Sequence, residues 1–338
     1  MDLQLVEAYI PEKYFEKVTE SLHKFPLVSY WVSRESEERK LIRVLVETKN
    51  TEEVLNYLEN VSNVVDGFEV LLFPVQSYLT RLTDEEKEKI KQEEKEDTTK
   101  IQRASRHELL GAIEKSSRIT LNYTLLVILS AIVVTIGFIK DSEAVIIGAM
   151  VIAPMLGPVI SIAFSSILGD FSLIRHSSIT LLYAIAIGIG IAIFCSFFLP
   201  VPLDNTEFAS RTHVNLSDIV LALASGTAGA LSIISRLPDA LVGVMVAVAL
   251  LPPTVVLGMS LGEGLWQEAY GSGLLLVGNI SSVILAAIIV FSLSGIRPVK
   301  WKDVDRAKTS QKMSILFVSI TIIILITAIL FSHHVDIL

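Results

Sequence analysis

The chain has 338 residues, of which 51% are hydrophobic, and its mean hydropathy of +0.59 is too high for an ordinary soluble domain. Its net charge of −8 argues against a nucleic acid polymer as a partner. The single cysteine, Cys195, excludes an intrachain disulfide and a cysteine-rich metal site. We expect no cofactor and no bound metal.

Charged residues are concentrated in the first third of the chain. Residues 1–121 contain 18 Lys and Arg and 24 Asp and Glu, whereas residues 122–338 contain only 10 and 12. This distribution predicts a soluble domain followed by a membrane domain. The first residues, MDLQLVEAYIPEK, have neither the basic nor the apolar region of a signal peptide, so none is predicted.

Residues 1–79 alternate between the period of a strand and the period of a helix. The sequence predicts strands at 3–10, 27–35, 40–49 and 67–75, and helices at 11–25 and 51–64, with Thr51 as an N-cap. This β-α-β-β-α-β order is the ferredoxin-like split motif of an α+β domain. Two interpretations stay open for it, a plain cap or dimerisation module and a module that senses a ligand.

Residues 80–121 are predicted to form a charged helical linker and a juxtamembrane helix. TDEEKEKIKQEEKEDTTK at 83–100 has the charge pairs of a solvated helical spacer. SRHE at 105–108 fits a capping box that opens a second helix, expected at the cytoplasmic membrane surface. Four basic residues flank this helix: Arg103, Arg106, Lys115 and Arg118. They would bind lipid headgroups or an anionic ligand.

Residues 122–338 are predicted to form an all-α polytopic membrane domain, because seven apolar stretches are long enough to cross a bilayer. In chain order these spans are 122–140, 144–168, 178–201, 217–235, 238–260, 271–294 and 313–332. The basic residues predict a cytoplasmic N-terminus and an outer C-terminus. The loops placed inside carry Arg175, Arg236 and the basic residues of 297–312, and only Lys140 and Arg211 lie on the outer side.

Two parts of the membrane domain resemble each other at a constant offset of 95 residues. IGAMVIAPMLGPV at 147–159 aligns without a gap on VGVMVAVALLPPT at 242–254. The alignment predicts a repeat of three spans, 122–201 and then 217–294, with 313–332 as an extra helix. Because three crossings are an odd number, the second copy would enter the membrane upside down, which is the inverted-repeat architecture of many secondary transporters.

Both copies carry prolines in the middle of a span. Proline has no N–H to donate and clashes with the carbonyl four residues earlier, so we expect breaks in spans two and five. The freed backbone groups would have to face protein or a wet cavity, where they could bind a solute. The alternative is a kink that only serves helix packing, and interhelical hydrogen bonding is the alternative for Asn279. The predicted ligand-binding residues are Gly148, Met150, Pro154, Gly157, Pro158, Ser225, Thr227, Gly243, Pro252, Pro253 and Asn279.

Several of these motifs together resemble a known family. The stretch GAMVIAPMLGP at 148–158 resembles the uncharacterised hydrophobic domain of prokaryotes called domain of unknown function 389. The resemblance also rests on SRHELL and the Asn122 span before this stretch and on SGTAGALS and ALLPP after it. The resemblance covers residues 105–260 closely. It implies an inner-membrane protein, often with a ferredoxin-like soluble part, and no established reaction. The residues that match the signature are Gly148, Ala149, Met150, Ala153, Pro154, Gly157 and Pro158.

The sequence leads to two functional hypotheses. The first is a transporter-like or channel-like protein of the inner membrane for a small solute, with a cytoplasmic regulatory domain. The second is a membrane-anchored sensor of a metabolite or nucleotide that transports nothing. An enzyme is not expected, because the chain has no HExxH and no paired membrane aspartates. The expected partners are the lipid bilayer, the solute or metabolite and further copies of the chain in a homo-oligomer.

Overall fold

The structure is a computed structural model that describes residues 3–36, 39–75, 106–235 and 239–296. Side chains within these ranges are described except those of Lys49, Arg106, His107 and residues 239–248. The predicted spacer at 83–100, the basic loop at 297–312 and the seventh span at 313–332 lie outside the described residues. The chain divides into two compact units, Met1–Leu109 and Leu110–Leu338.

The described residues of the first unit form an antiparallel sheet of four strands. In chain order the elements are β1 (Leu3–Pro11), a 3-10 turn (Glu12–Tyr14), α1 (Phe15–Leu22), β2 (Ser29–Arg34), β3 (Arg39–Glu47), α2 (Thr48–Ser62) and β4 (Glu69–Val75). The strand order across the sheet is β2-β3-β1-β4. β1 lies in the middle, with Leu3 opposite Glu47 of β3 on one side and opposite Val75 of β4 on the other.

One face of this sheet forms the core with the two helices. Val6, Ala8 and Ile10 alternate along β1 with less buried residues, as expected for a strand that buries one side. They pack with Val18 of α1 and Leu58 of α2 in one cluster. The predicted N-cap is wrong. α2 begins at Thr48, and the buried Thr51 lies in its first turn, where its hydroxyl donates to the Glu47 carbonyl at 3.0 Å.

The rest of the described chain is helical. Its elements are α3 (Arg106–Ser116), α4 (Leu121–Ile139), α5 (Glu143–Ile152), α6 (Leu156–Leu168), α7 (Phe171–Ser196), α8 (Thr206–Ala209), α9 (Leu216–Ile234), α10 (Asp239–Gly262) and α11 (Trp266–Leu293). Within the described ranges, α4, α7, α9 and α11 are long and apolar enough to cross a membrane, and α5 with α6 forms a fifth, bent candidate. The chain therefore has the helices of a multi-pass membrane protein.

The two segments rich in proline differ in structure. α5 and α6 meet at a break, where the axis bends by 54°, as the sequence predicted for span two. α10 continues through Pro252 and Pro253, so the predicted break in span five is wrong. The physical reason lies on the neighbouring helix. Pro253 cannot donate to the Ala249 carbonyl four residues earlier, and the Asn279 side-chain amide of α11 donates to that oxygen instead, at 2.7 Å.

Several turns gather at one end of the helical unit, which we call the loop end. The Asn205 side chain, from the segment 197–215 that joins α7 to α9, donates to the Phe138 carbonyl near the end of α4 at 2.8 Å. A Cβ atom at Gly271 of α11 would overlap the Thr212 carbonyl of the same segment. One at Gly262, the end of α10, would overlap Ser196, the end of α7. α7 and α10 therefore both end here, and α5 and α11 both begin here.

Gly169, which joins α6 to α7, has a φ of +73°, in the left-handed region that favours glycine. We expect Gly169→Ala to lower the free energy of unfolding by about 1 kcal/mol, because a Cβ atom is disfavoured at this φ. Thermal unfolding of the purified protein in detergent measures the change. The control is Gly190→Ala on the exposed face of α7, where no atom lies near the new methyl group. A Gly169→Ala variant as stable as the unaltered protein would contradict the prediction.

Candidate functional site

The break between α5 and α6 exposes two helix ends to each other. Ala153 is the last residue whose N–H reaches back into α5, at 3.2 Å from the Ala149 carbonyl, and its φ of −70° and ψ of 120° are extended, as expected before a proline. Pro154 has no N–H for the carbonyl of Met150. α6 then starts after Met155. Three residues thus separate the carbonyl end of one helix from the N–H end of the next.

Protein covers one side of the break, whereas Ile152 at the end of α5 is exposed and Pro154 is partly exposed. Ala153 and Met155 are buried, and α10 packs against both α5 and α6. Met150, one turn before the break, and Pro158, in the first turn of α6, are buried as well. Irregular backbone among apolar helices is stable only where protein or water satisfies it, which explains this location.

Besides the helix break, the helical unit has a second polar feature, which is Asn279 of α11. The residue is 5% exposed, and its amide nitrogen is held by the Ala249 carbonyl described above. Its other polar atom, Oδ1, is buried and has no hydrogen-bond partner among the described residues. The same is true of the Ser282 hydroxyl, which lies one turn further along α11. Two unpaired oxygen atoms therefore lie on neighbouring turns of one helix inside the protein.

The break and the proline pair lie at a similar distance from the loop end. α5 has 10 residues before the break, which is about 15 Å at the usual helical rise. Pro253 lies nine residues before the end of α10, and Asn279 thirteen residues after the start of α11, which correspond to about 14 Å and about 20 Å. These helices pack together, so the break, Pro253 and Asn279 lie at a similar depth along the axis of the helical unit. We call this depth the zone.

The other predicted residues have different surroundings. Ser225 of α9 is buried and precedes Gly226, where a Cβ atom would lie 2.7 Å from the Val283 Cα, so this stretch allows α9 and α11 to approach closely. The Thr227 hydroxyl donates to the Leu223 carbonyl of its own helix at 2.8 Å. Gly148 lies on the exposed face of α5. Gly243 belongs to the part of α10 whose side chains are not described.

Gly157 is needed for packing. A Cβ atom at this position would overlap the Ser116 carbonyl oxygen at the end of α3. The absence of a side chain therefore lets the first turn of α6 touch the backbone that precedes α4. Among the described atoms, a Cβ at Gly157 meets a close neighbour and one at Gly148 meets none.

Three buried hydroxyl residues near the same helices were not predicted from the sequence. Ser161 of α6 and Ser177 of α7 share a hydrogen bond of 2.6 Å, and the Thr180 hydroxyl donates to the Ser117 carbonyl at 2.9 Å. These bonds join α6, α7 and the residue after α3. Hydroxyl groups within apolar runs were the available signal, but sequence alone does not say which of them face a neighbouring helix.

Comparison with known proteins identifies relatives. Residues 150–285 match the family described as "Domain of unknown function (DUF389)", and this range includes Pro154, Pro253 and Asn279. The chain is 29% identical over 330 residues to "Uncharacterized protein MJ0678" of Methanocaldococcus jannaschii, and the alignment covers 96% of this chain and 99% of that protein. No solved structure matches the chain.

Proposed function

We propose that the chain is a transporter-like or channel-like membrane protein for a small solute. The proposal proceeds from the match of residues 150–285 to the DUF389 family and from the geometry of the helical unit. The observation that carries the proposal is that the helix break, the proline pair and Asn279 lie at a similar depth in the helical unit. A broken helix packs against a helix with two prolines. On the adjoining helix, buried oxygen atoms of Asn279 and Ser282 have no hydrogen-bond partner within the described ranges. Transporters commonly bind solutes at discontinuous helices of this kind.

Helix packing supports an inverted repeat of α4–α7 and α9–α11. Within the first set, α4 contacts α5 and α7, and α6 contacts α7. Within the second set, α9 contacts α10 and α11, and α10 contacts α11. Between the sets, α10 contacts α7 and α4, and α6 contacts their counterparts α11 and α9. In this comparison α4 corresponds to α9, the pair α5 and α6 to α10, and α7 to α11. Exchange of the two sets therefore leaves the pattern of contacts unchanged, which is what a two-fold relation requires.

The same zone indicates what kind of solute it could bind. The buried polar side chains of the described spans are serine, threonine and asparagine, with no buried carboxylate among them. Oxygen atoms without formal charge suit a small solute that donates hydrogen bonds, or a monovalent cation that carbonyls can coordinate. We propose the orientation given by the basic loops, with the N-terminal sheet as a ferredoxin-like cytoplasmic domain, and a homo-oligomer in the inner membrane.

Flux through liposomes tests this function. We expect purified protein to move at least one of sodium, rubidium, protons or a small neutral amino acid, and Pro154→Ala to reduce that flux about tenfold, the effect of 1.4 kcal/mol on the pathway. Alanine supplies the N–H that Pro154 lacks and favours a continuous α5–α6 helix. Gly148→Ala on the exposed face of α5 is the control and should transport normally. No flux above that of empty liposomes under any ion or voltage gradient would reject the proposal.

A cavity in the N-terminal unit favours the sensor as a second candidate. It has a volume of about 490 Å³, within the range of small-molecule sites, and it lies between α2 and the β1–β4 side of the sheet. A protein that binds a ligand here and moves no solute in the flux assay would be a sensor.

A further inference from the structure

The cavity in the N-terminal unit has an apolar floor and a polar rim. Its apolar lining comes from one side of α2, the loop before β4 and the face of β4 that points towards the helices: Leu55, Phe68, Val70, Leu72 and Pro74. Its polar lining is Gln4, Glu59, Ser62 and Glu108. No basic residue occurs among the described residues that line it, although this part of the chain is rich in Lys and Arg.

Gln4 is the most informative of these residues. It lies on β1 in line with the core residues Val6 and Ala8, and it is only 1% exposed. Its amide nitrogen donates to Glu108 Oε2 at 2.9 Å. A carboxylate only accepts hydrogen bonds, so this contact fixes which end of the amide faces Glu108. Oε1 is then left as a buried acceptor with no partner among the described residues, on a side chain that lines the cavity.

An unpaired oxygen atom of this kind lowers the stability of the fold. A buried carbonyl oxygen without a hydrogen bond destabilises a fold by about 1–3 kcal/mol, whereas an apolar side chain would fit the pattern of β1 without that loss. A glutamine in this position therefore points to a donor that enters from the cavity.

The remaining polar groups favour the same kind of ligand. Glu59 and Glu108 offer carboxylate oxygens, and the Ser62 hydroxyl donates to the Glu59 carbonyl at 2.9 Å, so its free lone pairs also accept. Each polar side chain among the described lining residues can accept a hydrogen bond, and the two charged ones are acidic. A phosphate, and therefore a nucleotide, would be repelled, whereas an ammonium group has three donors and no acceptor.

We propose that this cavity binds a protonated aliphatic amine, with the ammonium group at Gln4 Oε1 and the carboxylates of Glu59 and Glu108, and the carbon chain on the apolar floor. This site gives the N-terminal unit a ligand class of its own and does not rest on transport by the membrane domain. If both functions hold, the amine is a regulator that the cytoplasmic domain detects.

Isothermal titration calorimetry of the full chain in detergent tests the site. The probes are 1,5-diaminopentane and 1-aminopentane, with 1-pentanol and pentanoate as uncharged and anionic counterparts of the same length. We expect saturable binding of the amines alone. Gln4→Met and Glu59→Gln should each weaken amine binding about tenfold, because each removes an acceptor from a charged donor.

The control is Glu53→Gln, which makes the same change of charge on an exposed turn of α2 outside the cavity and should bind amines normally. Thermal unfolding confirms that each variant is folded before titration. Absence of amine binding by the unaltered protein would overturn the proposal, and so would equal weakening by Glu53→Gln or equal affinity for pentanol. Because the assay measures binding, its failure would leave the flux result untouched, and a failure of flux would leave amine binding untouched.

Discussion

Replacement of Asn279 by leucine is expected to lower the free energy of unfolding in detergent by about 1–2 kcal/mol. Leucine has the same number and branching of side-chain heavy atoms, so the change keeps the shape of the side chain between α10 and α11 while it removes both polar groups. It removes the donor that pairs with the Ala249 carbonyl, whose own partner is missing because residue 253 is proline. The carbonyl would then be buried without a hydrogen bond. Thermal or denaturant unfolding of the purified variant measures the loss.

A double-mutant cycle with Pro253→Ala separates this mechanism from a general loss of polarity. Alanine at position 253 supplies the backbone N–H that the Ala249 carbonyl lacks, so Asn279→Leu should become nearly neutral in that background. The expected coupling energy is about 1 kcal/mol. Equal destabilisation by Asn279→Leu in both backgrounds would show that the hydrogen bond does not compensate for the proline.

The two glycines of the GAMVIAPMLGP motif should respond in opposite ways to alanine. Gly157→Ala places a methyl group on the Ser116 carbonyl oxygen, and backbone cannot move aside as a flexible side chain can. We expect a loss of about 1–3 kcal/mol in the free energy of unfolding, the usual effect of overpacking. Gly148→Ala meets no neighbour and should raise stability by about 0.5–1 kcal/mol, because alanine favours the helix.

Parallel thermal unfolding of these two variants in one detergent measures the contrast. The pair is matched, since both changes add one methyl group to the same motif. Similar melting temperatures for the two variants would show that α6 does not touch the backbone before α4 as closely as described.

Sequence periodicity was sufficient to place most secondary structure. The order of strands and helices in the first unit follows the predicted order, because strands that bury one face alternate apolar and polar residues and amphipathic helices do not. The bounds of the helices were less predictable. The start of α2 at Thr48 rather than beyond Thr51 depends on a hydroxyl that bonds within the helix, which residue type alone does not reveal.

The candidate site was only partly accessible from the sequence. The break at Pro154 was predictable, since proline excludes a backbone hydrogen bond wherever it occurs. The continuity of α10 was not, because it depends on a side chain 26 residues away that donates to the Ala249 carbonyl. Gly148 and Gly157 look alike in the motif, and only their neighbours distinguish an exposed position from a close contact.

The sequence by itself determined which segments are apolar, where glycine and proline interrupt them and that the charged part of the chain precedes them, because these are local properties of composition. The tertiary structure decided which proline breaks its helix, which glycine allows two elements to touch and which buried oxygen atoms remain unpaired. Those outcomes depend on groups that are distant along the chain and meet only after it has folded.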